Sequence, residues 1–271
     1  MPELPGWFRL LARARGVVLP TGLLLVVVAV VLSSPPTGVV AAAVLVGGTL
    51  VSLVPGAPTV PPVELHTPVR GRWQAINSPT GRVPSHGTHA LGQTWAVDLV
   101  ADPLDGSRPD FGDHAPFPAN RLYPAYGADV LAPASGTVVR AHDRARDHRA
   151  RSGWVAFAYL MIESVVRELL GVRTMLGNHV VLDTAVGHVV LAHLQRGSLT
   201  VAPGQQVEAG DRLGACGNSG NSSEPHVHLQ VCDSPRLRVA AGVPFVLLGT
   251  TDDDGEPLTR LPATGGVLLS R

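Results

Sequence analysis

The sequence predicts a mainly β domain set behind two apolar helical stretches, on three observations. Beyond about residue 60, apolar residues come in short runs cut by Gly, Pro and Asn, the pattern of strands joined by turns. Gly (30) and Pro (24) are abundant while Phe, Trp and Tyr make up only 4%, which suits many short loops better than a helical bundle. Before residue 60, the stretches 17–32 and 37–54 carry no charge and no polar face.

The N-terminal part is expected to meet a membrane. Arg9, Arg13 and Arg15 precede the first stretch, and Ser33-Ser34-Pro35-Pro36 separates it from the second. Each run is near the lower limit for a bilayer span, and a basic flank before an apolar run also describes a signal sequence. A two-span hairpin would put both ends in the cytoplasm; a single span or a signal would put the bulk of the chain outside. Gly56 to Pro62 reads as a linker, giving a membrane-anchoring segment at 1–60 and a folded domain at 61–271.

Within the domain, 63–73 reads as a first strand or arm, followed by a turn-rich loop from Asn77 that carries His86 and His89. That loop enters an alternating strand, 94–100, bearing Asp98. A second long, Pro-rich loop covers 101–129, and loops of that length are usually functional or mobile. Residues 132–139 read as turn then strand, and 141–152 as a solvated charged run with His142 and His148 on the surface. Residues 153–171 form an amphipathic helix candidate, the heart of a helical insertion at about 146–176. Strands resume at 178–183 and 187–194, with His179 and His188 as surface strand residues. Two turns around a short strand fill 201–214, and one more apolar run lies at 242–248. Cys216 and Cys232 are expected either as a disulfide in an exported chain or as two small buried residues.

The chemistry gathers at 214–231, where a glycine-rich turn leads to His226-Val227-His228. Alternate residues on a strand face one side, so both imidazoles converge. A catalytic zinc takes three protein ligands and keeps one open position. One of His86 and His89, together with Asp98 and His228, supplies three such ligands. His193 and His226 at the same site would orient water and stabilise developing charge.

At this point the chain resembles the lysostaphin-like (LytM-type) zinc metallopeptidases, which cut peptide cross-links of peptidoglycan. The resemblance runs over about 77–233. It includes a loop histidine before Ala96-Val97-Asp98, the run APASGTVV at 132–139 and GNHVVLD at 177–183. It continues through Ala192-His193-Leu194, Gly210-Asp211-Arg212-Leu213-Gly214, the turn Gly217-Asn218-Ser219-Gly220-Asn221 and the His-x-His. It implies a largely antiparallel β domain with an open groove, of the duplicated-hybrid-motif type. It also implies Zn2+ held by Asp98 and His228, and catalytic roles for His193 and His226. The first motif departs from the family pattern of His-x-x-x-Asp, since Thr94 stands four residues before Asp98. His86, in the turn Ser85-His86-Gly87-Thr88, is preferred as the remaining ligand, with His89 as the alternative.

The expected partners are therefore peptidoglycan stem peptides and cross-bridges, and a membrane through the N-terminal stretches. The expected site of action is the bacterial cell membrane with the domain outside. Zero net charge argues against a nucleic-acid partner held by bulk electrostatics. A lipoyl or biotin carrier shares the turn-strand pattern but needs a lysine, and this chain has none. The remaining alternative is a catalytically inactive domain of the same fold that binds wall or activates another hydrolase. Leu261-Pro262-Ala263-Thr264-Gly265 matches a sorting pentapeptide, but only six residues follow it, too few for the span and basic tail that sorting needs.

Overall fold

A computed structural model describes residues 3–53, 57–112 and 116–271. The first residue of the expected linker, Gly56, and three residues of the second long loop lie outside the described residues.

Two helices come first, α1 (Gly6–Val31) and α2 (Pro35–Leu53). The Ser-Ser-Pro-Pro break turns the chain between them: Ser33 adopts φ 48°, and the two prolines open α2, where a missing N–H costs nothing. Gly22 lets them approach, because a Cβ there would meet the Leu45 side chain at 2.7 Å. The first turns of α1 pack into the domain instead of standing apart. Leu4, Phe8 and Ala12 join its core, and Phe8 lies against Trp95 and His89 with ring centroids 5.6 and 5.9 Å away. The expected membrane span is not found: among the described residues no helix is long and apolar enough to cross a membrane. The helical character of both stretches is as expected; part of α1 spends its apolar residues on protein contacts.

The strands are β1 (Val63–His66), β2 (Gly71–Ile76), β3 (Val97–Ala101), β4 (Asp129–Leu131), β5 (Gly136–His142), β6 (Asn178–Thr184) and β7 (Gly187–Leu194). They continue with β8 (Gln206–Val207), β9 (Arg212–Ala215), β10 (Val227–Cys232), β11 (Gly242–Val243), β12 (Phe245–Leu248) and β13 (Val267–Ser270). One antiparallel sheet runs β13-β2-β3-β10-β7-β6-β5-β8, with β11 also on β10. Two small pairs complete the described strands, β1 parallel to β12 and β4 antiparallel to β9.

Both faces of the central sheet are covered, which explains why β6, β7 and β10 read as nearly continuous apolar runs. Val180, Leu182, Val189, Leu191, Leu229 and Val231 enter the main core. Their alternates Val181, Val190, Ala192 and Cys232 enter a smaller cluster with Leu176, Leu237 and Ala240.

The helical insertion is α3 (Trp154–Leu170) and α4 (Val172–Leu176). Ala156 and Leu160 are buried, yet Trp154, Val155, Ile162, Val165 and Leu170 stay exposed, so α3 turns only part of its apolar surface to the domain.

Several local expectations change. The strand expected at 94–100 starts later, because Ala90–Trp95 is a 3-10 turn with Leu91 and Gly92 in the left-handed region. The run 141–152 is not wholly solvated, since Arg151 and Ser152 are buried. His179 is buried too; its Nδ1 bonds the Gly177 carbonyl at 2.8 Å and its ring stacks on His142. Both cysteines are free and buried; burial pushes the Cys232 thiol up to about 12. The closing strand β13 was unexpected, and the pentapeptide before it is structural: Leu261 is buried and Thr264 Oγ1 accepts from the Ser78 amide at 3.1 Å.

Candidate metal centre

The sheet itself brings two of the chemical residues together. In the antiparallel register His228 on β10 lies directly opposite Asp98 on β3, so their side chains share a face. On the other side His228 faces Ala192 of β7. The β6–β7 register slips between Asn178 and Val180, and in that slip His193 takes φ 63°. A bulge of this kind re-aims a side chain, and a non-glycine residue held left-handed marks a place where the surroundings enforce strain. The His193 ring centroid thereby comes 4.7 Å from His226 and 5.7 Å from His228.

His86 arrives from the loop ahead of the 3-10 turn. Its Nε2 is 3.0 Å from Asp98 Oδ2, and its ring stands edge-on to His228 with centroids 5.0 Å apart. His228 Nδ1 is 2.9 Å from Asp98 Oδ1, and His226 Nε2 is 3.4 Å from the same oxygen. One ligand atom each from His86, Asp98 and His228 all lie within 4.8 Å of one another. His89 is not part of this cluster. The 3-10 turn folds it back under α1, where Nδ1 meets Thr94 Oγ1 at 3.0 Å and the ring packs on Phe8. The preferred loop histidine comes to Asp98, and its alternative serves the core.

The outer partners fix which nitrogen each imidazole offers. Gln230 Nε2 donates to the Leu91 carbonyl at 2.9 Å, which leaves Oε1 to accept from His228 Nε2 at 2.8 Å. The neutral His228 ring therefore carries its proton on Nε2 and turns the Nδ1 lone pair toward Asp98. Ser85 Oγ donates to the Gln93 carbonyl and accepts from His86 Nδ1 at 3.0 Å, so His86 turns its Nε2 lone pair toward the same carboxylate. His226 Nδ1 donates to the Glu224 carbonyl at 2.8 Å and His193 Nδ1 to the Ser219 carbonyl at 2.9 Å. Each of these two rings also keeps Nε2 for the site.

Lone pairs converging on a carboxylate need a cation or a proton between them. Two imidazole nitrogens and a carboxylate oxygen are a donor set that suits a first-row divalent metal and zinc in particular. Asn77 Nδ2 donates to Asp98 Oδ2 at 2.9 Å and orients the carboxylate. Burial pushes the Asp98 carboxyl up, but the His86 and His226 imidazoles beside it and the hydrogen bond from His226 hold it well below the usual range. Burial lowers His193 well below the ordinary imidazole value, helped by His226 and His228 nearby. Burial works against the charged form of His226 as well, but Asp98 outweighs it and raises that ring.

These side chains line a groove of about 390 Å³, closed on one side by Phe157, Leu160 and Met161 of α3 and opened to solvent on the other. Two outer partners were legible in the sequence and two were not. Gln230 lies two residues past His228 on the same strand face, and Ser85 adjoins His86. Asn77 reaches Asp98 through a left-handed turn (φ 53°), and Glu224, held by Arg108 at 2.9 Å, acts through its carbonyl.

An antiparallel β domain with a His/Asp/His donor cluster on the floor of a groove is the class of protein that this geometry defines. Residues 121–237 match the model of Peptidase family M23, and over that stretch the chain is similar to the lysostaphin-like peptidases. The match takes in His193, His226 and His228 and begins after His86 and Asp98, the part in which the first motif departs from the family pattern.

Similar solved structures include the catalytic domain of the antimicrobial peptidase lysostaphin from Staphylococcus simulans. It is 22% identical, with 49% of this chain and 85% of that one covered and a TM-score of 0.26. A zinc containing peptidase from Vibrio cholerae is 17% identical over 54% of this chain and 48% of that one, with a TM-score of 0.27. Helicobacter pylori Csd3 is 16% identical over 68% of this chain and 34% of that one, with a TM-score of 0.34. The chain thus spans about a third to a half of the length of the latter two. The likeness to the family rests on the match over residues 121–237 and not on these low scores.

Proposed function

We propose that the protein is a zinc-dependent endopeptidase that hydrolyses peptide cross-links of bacterial peptidoglycan. The observation that carries this reading is the convergence of the His86 Nε2, Asp98 and His228 Nδ1 lone pairs on one point of the groove. It is supported by the match of residues 121–237 to the M23 model. A zinc ion held by these three residues would polarise a peptide carbonyl and lower the pKa of a water molecule. The chain's own part is to place two further imidazoles beside that point. His193, kept neutral by burial, can accept a proton on Nε2, and His226, raised by Asp98, can donate one from the same atom. Phe157, Leu160 and Met161 give the groove an apolar wall along which an extended peptide can lie.

The full-length protein is expected to bind about one zinc per chain. His228→Ala and His86→Ala should lose both zinc and wall lysis, while His89→Ala keeps its zinc and loses only stability. Metal content by atomic emission, beside turbidity clearing of purified walls, reads all four proteins. Undiminished lysis in a well-folded His228→Ala variant would sink the mechanism.

The same reading puts the groove outside the cytoplasm, where its polymer lies, with the N-terminal helices at the membrane. Its support is the row of exposed apolar side chains Leu24, Val27, Val30 and Val31 on α1 and Val39, Val40, Val46 and Leu50 on α2. Full-length protein should sediment with membranes and be released by detergent. Recovery in the soluble fraction without detergent would count against it.

A further inference from the structure

Along a neighbouring face of α3 lies a second cavity of about 390 Å³, lined by Arg146, Arg151, Arg167 and Arg173, with Glu163 and Tyr159 beside them. Four guanidinium groups face a single carboxylate. Glu163 pairs with Arg151 at 2.6 Å and with Arg167 at 3.0 Å, leaving Arg146 and Arg173 without a share in that pair. Arg151 is the most demanding of the four. Its side chain is 5% exposed and lies 5.5 Å from the Tyr159 ring centroid, and its Nη1 is buried with no hydrogen-bond partner. Arg167 Nε is in the same condition. A buried guanidinium donor without an acceptor is costly, and an excess of like charge around one cavity adds to the cost. An anion in the cavity removes both penalties together.

We propose that this arginine-lined cavity is a binding site for a phosphoryl anion. A carboxylate is satisfied by one guanidinium fork, whereas a phosphate group offers oxygens in several directions to forks on different walls of a cavity. The same chemistry is available from a free phosphate ester and from a phospholipid headgroup. The site is independent of the metal centre: α3 turns Phe157, Leu160 and Met161 to the groove and Tyr159, Glu163 and Arg167 to this cavity.

The test uses the full-length chain, with millimolar inorganic phosphate compared against acetate and chloride at matched ionic strength. Phosphate should raise the thermal midpoint by several degrees in the wild type and equally in His228→Ala, in which the metal centre is broken. In Arg146→Gln/Arg173→Gln, which alters two exposed side chains, the apparent affinity for phosphate should fall by about tenfold or more. Competition then separates the sources. Displacement of bound phosphate by phosphatidylglycerol vesicles but not by glycerol phosphate identifies a lipid headgroup, and the reverse identifies a free ester; both uphold the site. The proposal is overturned if phosphate gives no rise, if acetate or chloride matches it, or if the arginine double variant responds like the wild type. It is equally overturned if the rise vanishes in His228→Ala, which would put the anion at the metal centre.

Discussion

Two imidazole lone pairs aimed at one carboxylate form an arrangement that suits a cation, and at the residue scale the outer partners decide how well it suits one. Gln230 is the clearest of them, because it fixes the proton on His228 Nε2 and so frees Nδ1 for a ligand bond. Second partners of this kind typically contribute about 10–100-fold in metal affinity. Gln230→Leu keeps the volume and removes the acceptor. It should weaken zinc binding by about that factor in a chelator competition while the far-UV spectrum stays unchanged, and Gln230→Glu should restore most of the loss. Equal affinity in the leucine variant would mean that His228 is oriented by the sheet alone.

At the scale of elements, the site depends on close approaches that only glycine allows. Gly220, in the turn before β10, has φ 76°, and Gly177, just ahead of β6, has φ 61°; a Cβ on Gly177 would lie 2.5 Å from the Gly220 amide. The two backbones touch there, next to Ser219, whose carbonyl anchors His193. Gly220→Ala is therefore expected to cost more than about 1 kcal/mol from the left-handed backbone alone, with the steric overlap in addition. Urea unfolding measures it, and an unchanged midpoint would show that the turn can relax. The glycine-rich turn of the sequence thus serves packing and the placing of His193.

For the whole molecule, acid sensitivity follows from two imidazoles away from the metal centre, His179 buried and His148 half-buried. Burial lowers His179 to about 4, and it lowers His148 to about 4 as well, against an ordinary value near 6.5. In both cases the unfolded chain takes up its proton at a higher pH than the folded one. Stability is then full above pH 6.5 and is lost as the pH falls toward 4, by about 1.4 kcal/mol per pH unit for each group over that window. Urea midpoints measured from pH 7.5 to 4 should decline through this range in the wild type. The decline should be shallower in His179→Gln; an identical slope in that variant would remove His179 from the account.

The sequence by itself determined the β character of the domain, the helical character of α1, α2 and α3, and β7 at 187–194, because these rest on local periodicity and turn chemistry. It also determined that His226 and His228 share a face, since alternation is a property of any strand, and the family likeness followed from that same ordered run of motifs. The tertiary structure decided what local pattern does not contain. Asp98 meets His228 through strand register, His193 turns inward through a bulge, and β13 closes the sheet edge through a pairing some two hundred residues apart in sequence. Between His86 and His89 the sequence offered a preference for His86, from its turn, and no geometry to decide it. The left-handed pair Leu91 and Gly92 reverses the chain, sending His86 to Asp98 and His89 beneath Phe8. The same holds for the apolar N-terminal stretches, whose hydropathy is local but whose first turns find the core of the domain. Spacing along a chain fixes which residues can face the same way; only the folded backbone fixes which of them arrive at the same place.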